Sequence, residues 1–172
     1  MANEVSLLRL QDAWHECERH SYHLFYAISS LRTVWPLTGI KYATLTDIEV
    51  QGMDQFILRF TKLQDTIGSH LLPAILQYLE EPYERRPMLD KLNRLEKLGF
   101  IYSIDKWQDL RSIRNKFAHD YPDDTEKNAA QLNLAFASAP ELYAMLIAIQ
   151  TKLKSDHPSL DLGKYLPEKC PV

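Results

Sequence analysis

The chain has 172 residues, 45% of them hydrophobic and 25% charged, with a formal net charge of −3. Those proportions belong to an ordinary globular domain and exclude a collagen-like, low-complexity or mainly disordered chain. Two cysteines at opposite ends, Cys17 and Cys170, give no disulfide framework and no metal-binding Cys pair. With no secretory pattern after Met1 and no apolar run near the ~20 residues of a bilayer span, the expectation is a cytoplasmic protein without a membrane partner.

In chain order, apolar residues recur at Leu7, Leu10, Trp14, Cys17, Leu24, Ile28, Leu31 and Trp35, with Ser21 filling the one gap. Steps of three and four predict a long first helix, ended by Pro36 and Gly39. Thr46-Asp-Ile-Glu49 has the capping-box pattern and opens a second helix through Met53, Phe56, Ile57, Phe60, Leu63, Ile67 and Leu71. Pro73 lies inside this pattern and predicts a kink or break near residues 70–72. Pro87 is placed as the first residue of a helix through Met88, Leu92, Leu95 and Leu98, stopped by Gly99. Ser103 is a candidate N-cap for a helix carrying Trp107, Leu110, Ile113, Phe117 and Ala118, broken by Pro122. Thr125 opens a last long helix through Leu132, Ala135, Ala139, Leu142, Leu146, Ile149 and Leu153, which Pro140 bends. There is no alternating strand pattern and no hairpin signal. The predicted fold is therefore all-α, an up-and-down bundle of about four to five helices over residues 1–154, with a loosely structured tail over 155–172.

Charge is unevenly placed. Residues 85–116 hold nine Lys/Arg against four acids and net +5, in a chain that nets −3. Such asymmetry points to a polyanionic partner, although a basic helix face is often only a solvated one. At the end of this stretch Arg114 falls on the same helical arc as Trp107, Leu110, Ile113, Phe117, Ala118 and Tyr121, where an unpaired charge is costly. His119 sits near a helix end. An arginine fork holds phosphoryl oxygens and a histidine moves a proton, so the pair suits phosphate chemistry and needs no metal. On one ideal helix the two side chains point about 140° apart, so convergence needs a bent helix or a second copy of the chain.

Arg114-Asn-Lys-Phe-Ala-His119 matches the R-x4-H pattern of the HEPN domain family, and Asp120-Tyr121 extends it to R-x4-H-x-Y. This longer form resembles the HepT-type toxins of bacterial toxin–antitoxin pairs. Leu92 to Gly99, Trp107 to Arg114 and Phe56 to Gln64 also look similar to that group, and the resemblance covers residues 45 to 125. It implies a HEPN-like helical homodimer whose two motifs form a composite, metal-independent endoribonuclease site acting on tRNA or mRNA. Arg114 would position the scissile phosphate, His119 would act as acid or base, and Asn115 would orient the site. Lys116, Arg111 and Asp120 are candidate RNA contacts. The implied partner is a minimal nucleotidyltransferase antitoxin that transfers AMP to Tyr121, whose added charge would compete with RNA. No cofactor is implied.

Two other readings stand beside this one. The chain could be a non-catalytic nucleotide- or substrate-binding partner of a nucleotidyltransferase. It could also be an inert helical scaffold, with Arg114 tied into an internal ion pair, Asp109 or Asp120 being the expected acids. Asp54, Asp65 and Glu49 read as surface charges, and Trp14, Trp35, Phe56 and Phe60 as core. His15, His20, His23 and Cys17 cluster on the first helix, but no further ligand is placed with them, so no metal site is expected.

Overall fold

The computed structural model describes residues 2–116, 121, 123–163, 166–167 and 169–172, with side chains from Glu4 onward. The chain is an all-α bundle, without a strand among the described residues. Helix α1 spans Ala2–Ser30, α2 Gly39–Ala43, α3 Asp47–Thr66, α4 Leu72–Tyr78, α5 Met88–Lys97, α6 Ile104–Lys116 and α7 Thr125–Asp156; a π-helical turn, Ile67–Leu71, joins α3 to α4.

The core follows the apolar seams. Leu10, Trp14, Cys17, Leu24 and Ile28 of α1 are buried, as are Phe56, Phe60 and Leu63 of α3 and Leu142, Leu146 and Ile149 of α7. Burying each large side chain of this kind is worth about 1.5–3 kcal/mol relative to leaving it in water. Helix α3 is central, packed against α1, α6 and α7. Ser21 is fully buried within the α1 seam and its hydroxyl has no hydrogen-bond partner among the described residues. Trp35 stacks on Phe136 of α7 with ring centroids 4.2 Å apart. Helix α7 is long and apolar enough to cross a bilayer by length and hydropathy alone. Its apolar stripe, however, is the one that packs into the bundle core.

Local signals set most boundaries. Thr46 and Glu49 form the reciprocal capping box, with Glu49 N–H donating to Thr46 Oγ1 at 3.3 Å and Thr46 N–H to Glu49 Oε2 at 2.8 Å. Ser103 Oγ accepts from the Lys106 N–H at 3.2 Å at the start of α6. Gly99 follows α5 at φ +83°, a left-handed conformation that glycine adopts without a Cβ penalty. Pro87 is the N-cap of α5 rather than its first residue, so the helix begins at Met88, one position after the predicted start. Helix α1 stops at Ser30, short of the predicted Trp35, and 31–34 form turns.

Two elements differ from the sequence expectation in kind. Gly39 does not simply end a helix. Thr38 caps a short α2 there, and α2 packs on α7. The preceding loop is clamped by Asn133 of α7, which donates to the Leu37 carbonyl and accepts from the Leu37 N–H, both at 2.8 Å. Pro73 does not break the second helix. It has no N–H to give the Ser69 carbonyl, and the disturbance is absorbed as the π turn, in which Leu72 N–H reaches back five residues to Ile67 O. Beyond Asp156 the described residues form no regular element. Leu160 and Leu162 are nonetheless buried, and Gln11 of α1 holds the Asp161 carbonyl at 2.9 Å.

Candidate functional site

Helix α6 brings its C-terminal turn against α3. Trp107, Leu110 and Ile113 face the core, and Trp107 lies directly on Gly68 of the π turn, where a Cβ would meet its ring at 2.9 Å. Seven residues further on, two turns along the same face, Arg114 reaches α3 and forms an ion pair with Asp65 through Nη2. Its Nη1 donates to Asn115 Oδ1 at 2.7 Å. The Nε is buried and has no hydrogen-bond partner among the described residues. The Arg114 side chain is 29% exposed, and the two contacts leave some of its five N–H donors unused. Arg114 and Lys116 also lie in the last turn of α6, where the helix dipole favours positive charge.

The ion pair explains why an arginine can sit on the apolar arc of α6: its partner comes from the neighbouring helix. Asp65 is thus not a lone surface charge, and Asp109 makes no pair with Arg114 among the described residues. The sequence signal that misled is the helical wheel, since Asp65 lies about 180° from Phe56 on α3. That wheel assumes one buried face, whereas α3 packs against both α1 and α6.

Tyr121 occupies the loop between α6 and α7 and is half-buried. Its carbonyl accepts from the Asn128 side chain at 2.8 Å and from the Asp124 N–H at 3.1 Å. Lys127 Nζ stands 3.6 Å over its ring, a cation–π contact that neither residue's spacing announces. Arg111 and Lys116 are exposed on α6. Beside Lys116 a hollow of about 320 Å³ opens between α6 and α7, edged by Asp109, Ser112, Leu134 and Glu141. His119 and Asp120, with Phe117, Ala118 and Pro122, lie outside the described residues. A groove of about 630 Å³ runs between α1 and α4 and includes none of the motif residues.

Chemically, the described part of this site offers one oriented guanidinium with spare donors, a half-buried phenol beside an ammonium, and two further exposed cations. That set can hold an oxyanion such as phosphate. Comparison with known protein families, with curated proteins and with solved structures gives no match to this chain.

Proposed function

We propose that the chain is a HepT-like HEPN endoribonuclease that acts as a cytoplasmic homodimer and is neutralised by a nucleotidyltransferase antitoxin. The observation that carries the reading is Arg114 in the last turn of α6, held by Asp65 and Asn115 with donors to spare, within an R-x4-H-x-Y sequence. Arg114 would bind a non-bridging phosphate oxygen and stabilise the charge that grows there. His119 would take the proton of the ribose 2′-hydroxyl or deliver one to the leaving 5′-oxygen. The 2′-oxygen attacks phosphorus, the P–O5′ bond breaks, and the products are a 2′,3′-cyclic phosphate and a 5′-hydroxyl. Arg114 and His119 of opposite copies would meet at one phosphodiester, which removes the 140° divergence expected within a single helix. Arg111, Lys116 and Lys127 add positive charge along the route of an RNA strand.

Control would act through Tyr121. Its phenol attacks the α-phosphate of ATP, pyrophosphate leaves, and the tyrosyl adenylate places a negative phosphodiester in a loop that Lys127 of α7 already faces. The test is cleavage of RNA by the purified chain in excess chelator. We expect activity that Arg114→Ala and His119→Ala abolish and that AMP transfer to the wild-type chain suppresses. Cleavage that survives both substitutions refutes the assignment.

A second reading is favoured by the same ion pair. Asp65 neutralises part of Arg114, which suits a non-catalytic subunit that holds nucleotide for a partnering nucleotidyltransferase. Nucleotide binding without RNA turnover, lost in Arg114→Ala, would select this reading.

A further inference from the structure

Helix α1 carries two repeats of the same period on opposite faces. The inward one, Leu10, Trp14, Cys17, Ser21, Leu24 and Ile28, is buried in the bundle. The outward one runs Val5, Leu8, Asp12, His15, Arg19, Tyr22 and Tyr26, again in alternating steps of three and four. These positions keep to a stripe about 100° wide, set two residues and so about 200° away from the inward seam. All of them are exposed, Val5 and Leu8 by 49% and 55%, Tyr22 and Tyr26 by 68% and 70%. One exposed apolar side chain needs no explanation, but four in heptad register along one helix form the kind of seam through which helices associate.

The stripe stands as a ridge. On one side lie the π turn and α4, where His70 meets Glu16 and Arg9 donates to Gln77 at 3.1 Å. On the other lies the C-terminal segment, where Gln11 holds the Asp161 carbonyl and Leu166 and Pro167 border a hollow with Tyr22 and Tyr26. Asp12 and Arg19 occupy the middle of the ridge, about 10.5 Å apart along the helix. Neither has an ion-pair partner among the described residues.

Beside a copy of itself running the other way, this stripe is its own complement. A two-fold axis at His15 sets Asp12 opposite Arg19 of the second copy and Arg19 opposite its Asp12. The same register sets Leu8 opposite Tyr22 and Val5 opposite Tyr26, a small side chain against a large one each time. Parallel pairing in register would set Asp12 on Asp12 and Arg19 on Arg19, so charge opposes that alternative. An anionic lipid surface or a nucleic acid fits less well, because α1 holds four acids against two arginines.

We propose that the outer face of α1 is an interface with a second copy of this chain, the two helices antiparallel and Asp12 paired with Arg19 across the two-fold axis. The face contains none of the motif residues, and α6, which carries Arg114, packs against α3 and α7, so the inference does not rest on the nuclease reading. Combined with a dimer paired through the motif, it would join dimers into tetramers.

The experiment is sedimentation of the full chain over a range of concentrations, with Asp12→Arg and Arg19→Asp measured singly and mixed. The first variant is basic at both positions and the second acidic at both, so each repels itself and attracts the other. We expect each single variant to associate at least about tenfold more weakly than wild type, since two charge pairs turn repulsive in every assembly. The equimolar mixture should regain wild-type association, which also shows that both variants fold. Native mass spectrometry of the mixture should find mixed assemblies beyond their statistical share, an excess that fades at high salt. Tyr22→Ser/Tyr26→Ser should weaken association with no change of charge. Association, or its absence, that is the same in wild type and both charge variants would overturn the proposal, as would statistical mixing of the two, which would assign self-association to another face.

Discussion

Replacing Gly68 by alanine sets two opposing effects against each other at the contact that places α6. In a helical turn, Gly→Ala should stabilise by about 1 kcal/mol through backbone entropy. Here the new Cβ would lie 2.9 Å from Trp107 Cζ2, inside van der Waals contact. Trp107 is 3% exposed and its rigid indole cannot swing into solvent. Overpacking of this kind costs about 1–3 kcal/mol. The balance is a destabilisation of up to about 2 kcal/mol, or a melting temperature lowered by as much as about 8 °C for a chain of this size. Urea unfolding followed by circular dichroism measures it directly. The double variant Gly68→Ala/Trp107→Phe removes the clashing ring atom and should recover much of the loss, giving a coupling between the two sites. A gain of about 1 kcal/mol in Gly68→Ala alone would show that helix propensity governs and that the Trp107 contact does not hold α6 in place.

Asp65→Ala leaves the Arg114 guanidinium without its counter-charge; because both side chains are about a third exposed, we expect a loss of about 1–2 kcal/mol by chemical denaturation, between the surface and buried limits. Phe60→Ala empties a fully buried position and should cost about 3–5 kcal/mol in the same assay. Thr46→Ala removes one half of the capping box and should cost about 1 kcal/mol. Stability should also fall with acidity from near pH 6.5 downward. Burial, together with the adjacent Arg59 and Arg19, lowers the His20 pKa against the pull of Glu16, so below the ordinary histidine value of about 6.5 the unfolded chain takes up a proton that the folded one refuses. Burial raises the Glu16 pKa, but His70 and His20 outweigh it and hold the carboxyl below its usual range, so its stabilising share is lost only at pH values below about 4.3. Urea midpoints at pH 7 and 5.5 should converge in His20→Gln; an unchanged slope in that variant would assign the acid sensitivity elsewhere.

What could be read from the sequence was whatever depends on neighbours a few residues apart. The Thr46–Glu49 box, the Ser103 cap and the Gly99 stop are local hydrogen-bond and backbone requirements, and each lies at its expected place. The apolar seams of α1, α3 and α7 followed from period alone. The position of the Pro73 disturbance was legible but not its form, since a missing N–H permits a kink, a break or a wider turn and packing chooses among them. At the candidate site the wheel placed Arg114 on the inward arc of α6. Asp65, 49 positions earlier in the sequence, could not be found that way, because its partner depends on which helix lies across from α3. The Asn133 clamp on Leu37 and the Lys127–Tyr121 contact are likewise long-range or loop-dependent. Leu160 and Leu162 show the same limit: without periodicity, only the tertiary structure reveals where two leucines in an irregular segment go.

The π turn also fixes the phase of everything that follows it. Five residues complete the loop back from Leu72 to Ile67 where an ordinary helix would use four, so the segment carries one surplus residue. Deleting one of them, Ser69 for instance, would remove that surplus position, leave Pro73 inside a ladder with no room for its ring, and rotate α4 by about 100° relative to α3. Leu72, Ile75 and Leu76 would turn out of the interior while outward-facing positions turned in. The supernumerary residue thus acts as a gear offset between two halves of one rod, and shortening the segment by a single position should be harsher than most substitutions within it.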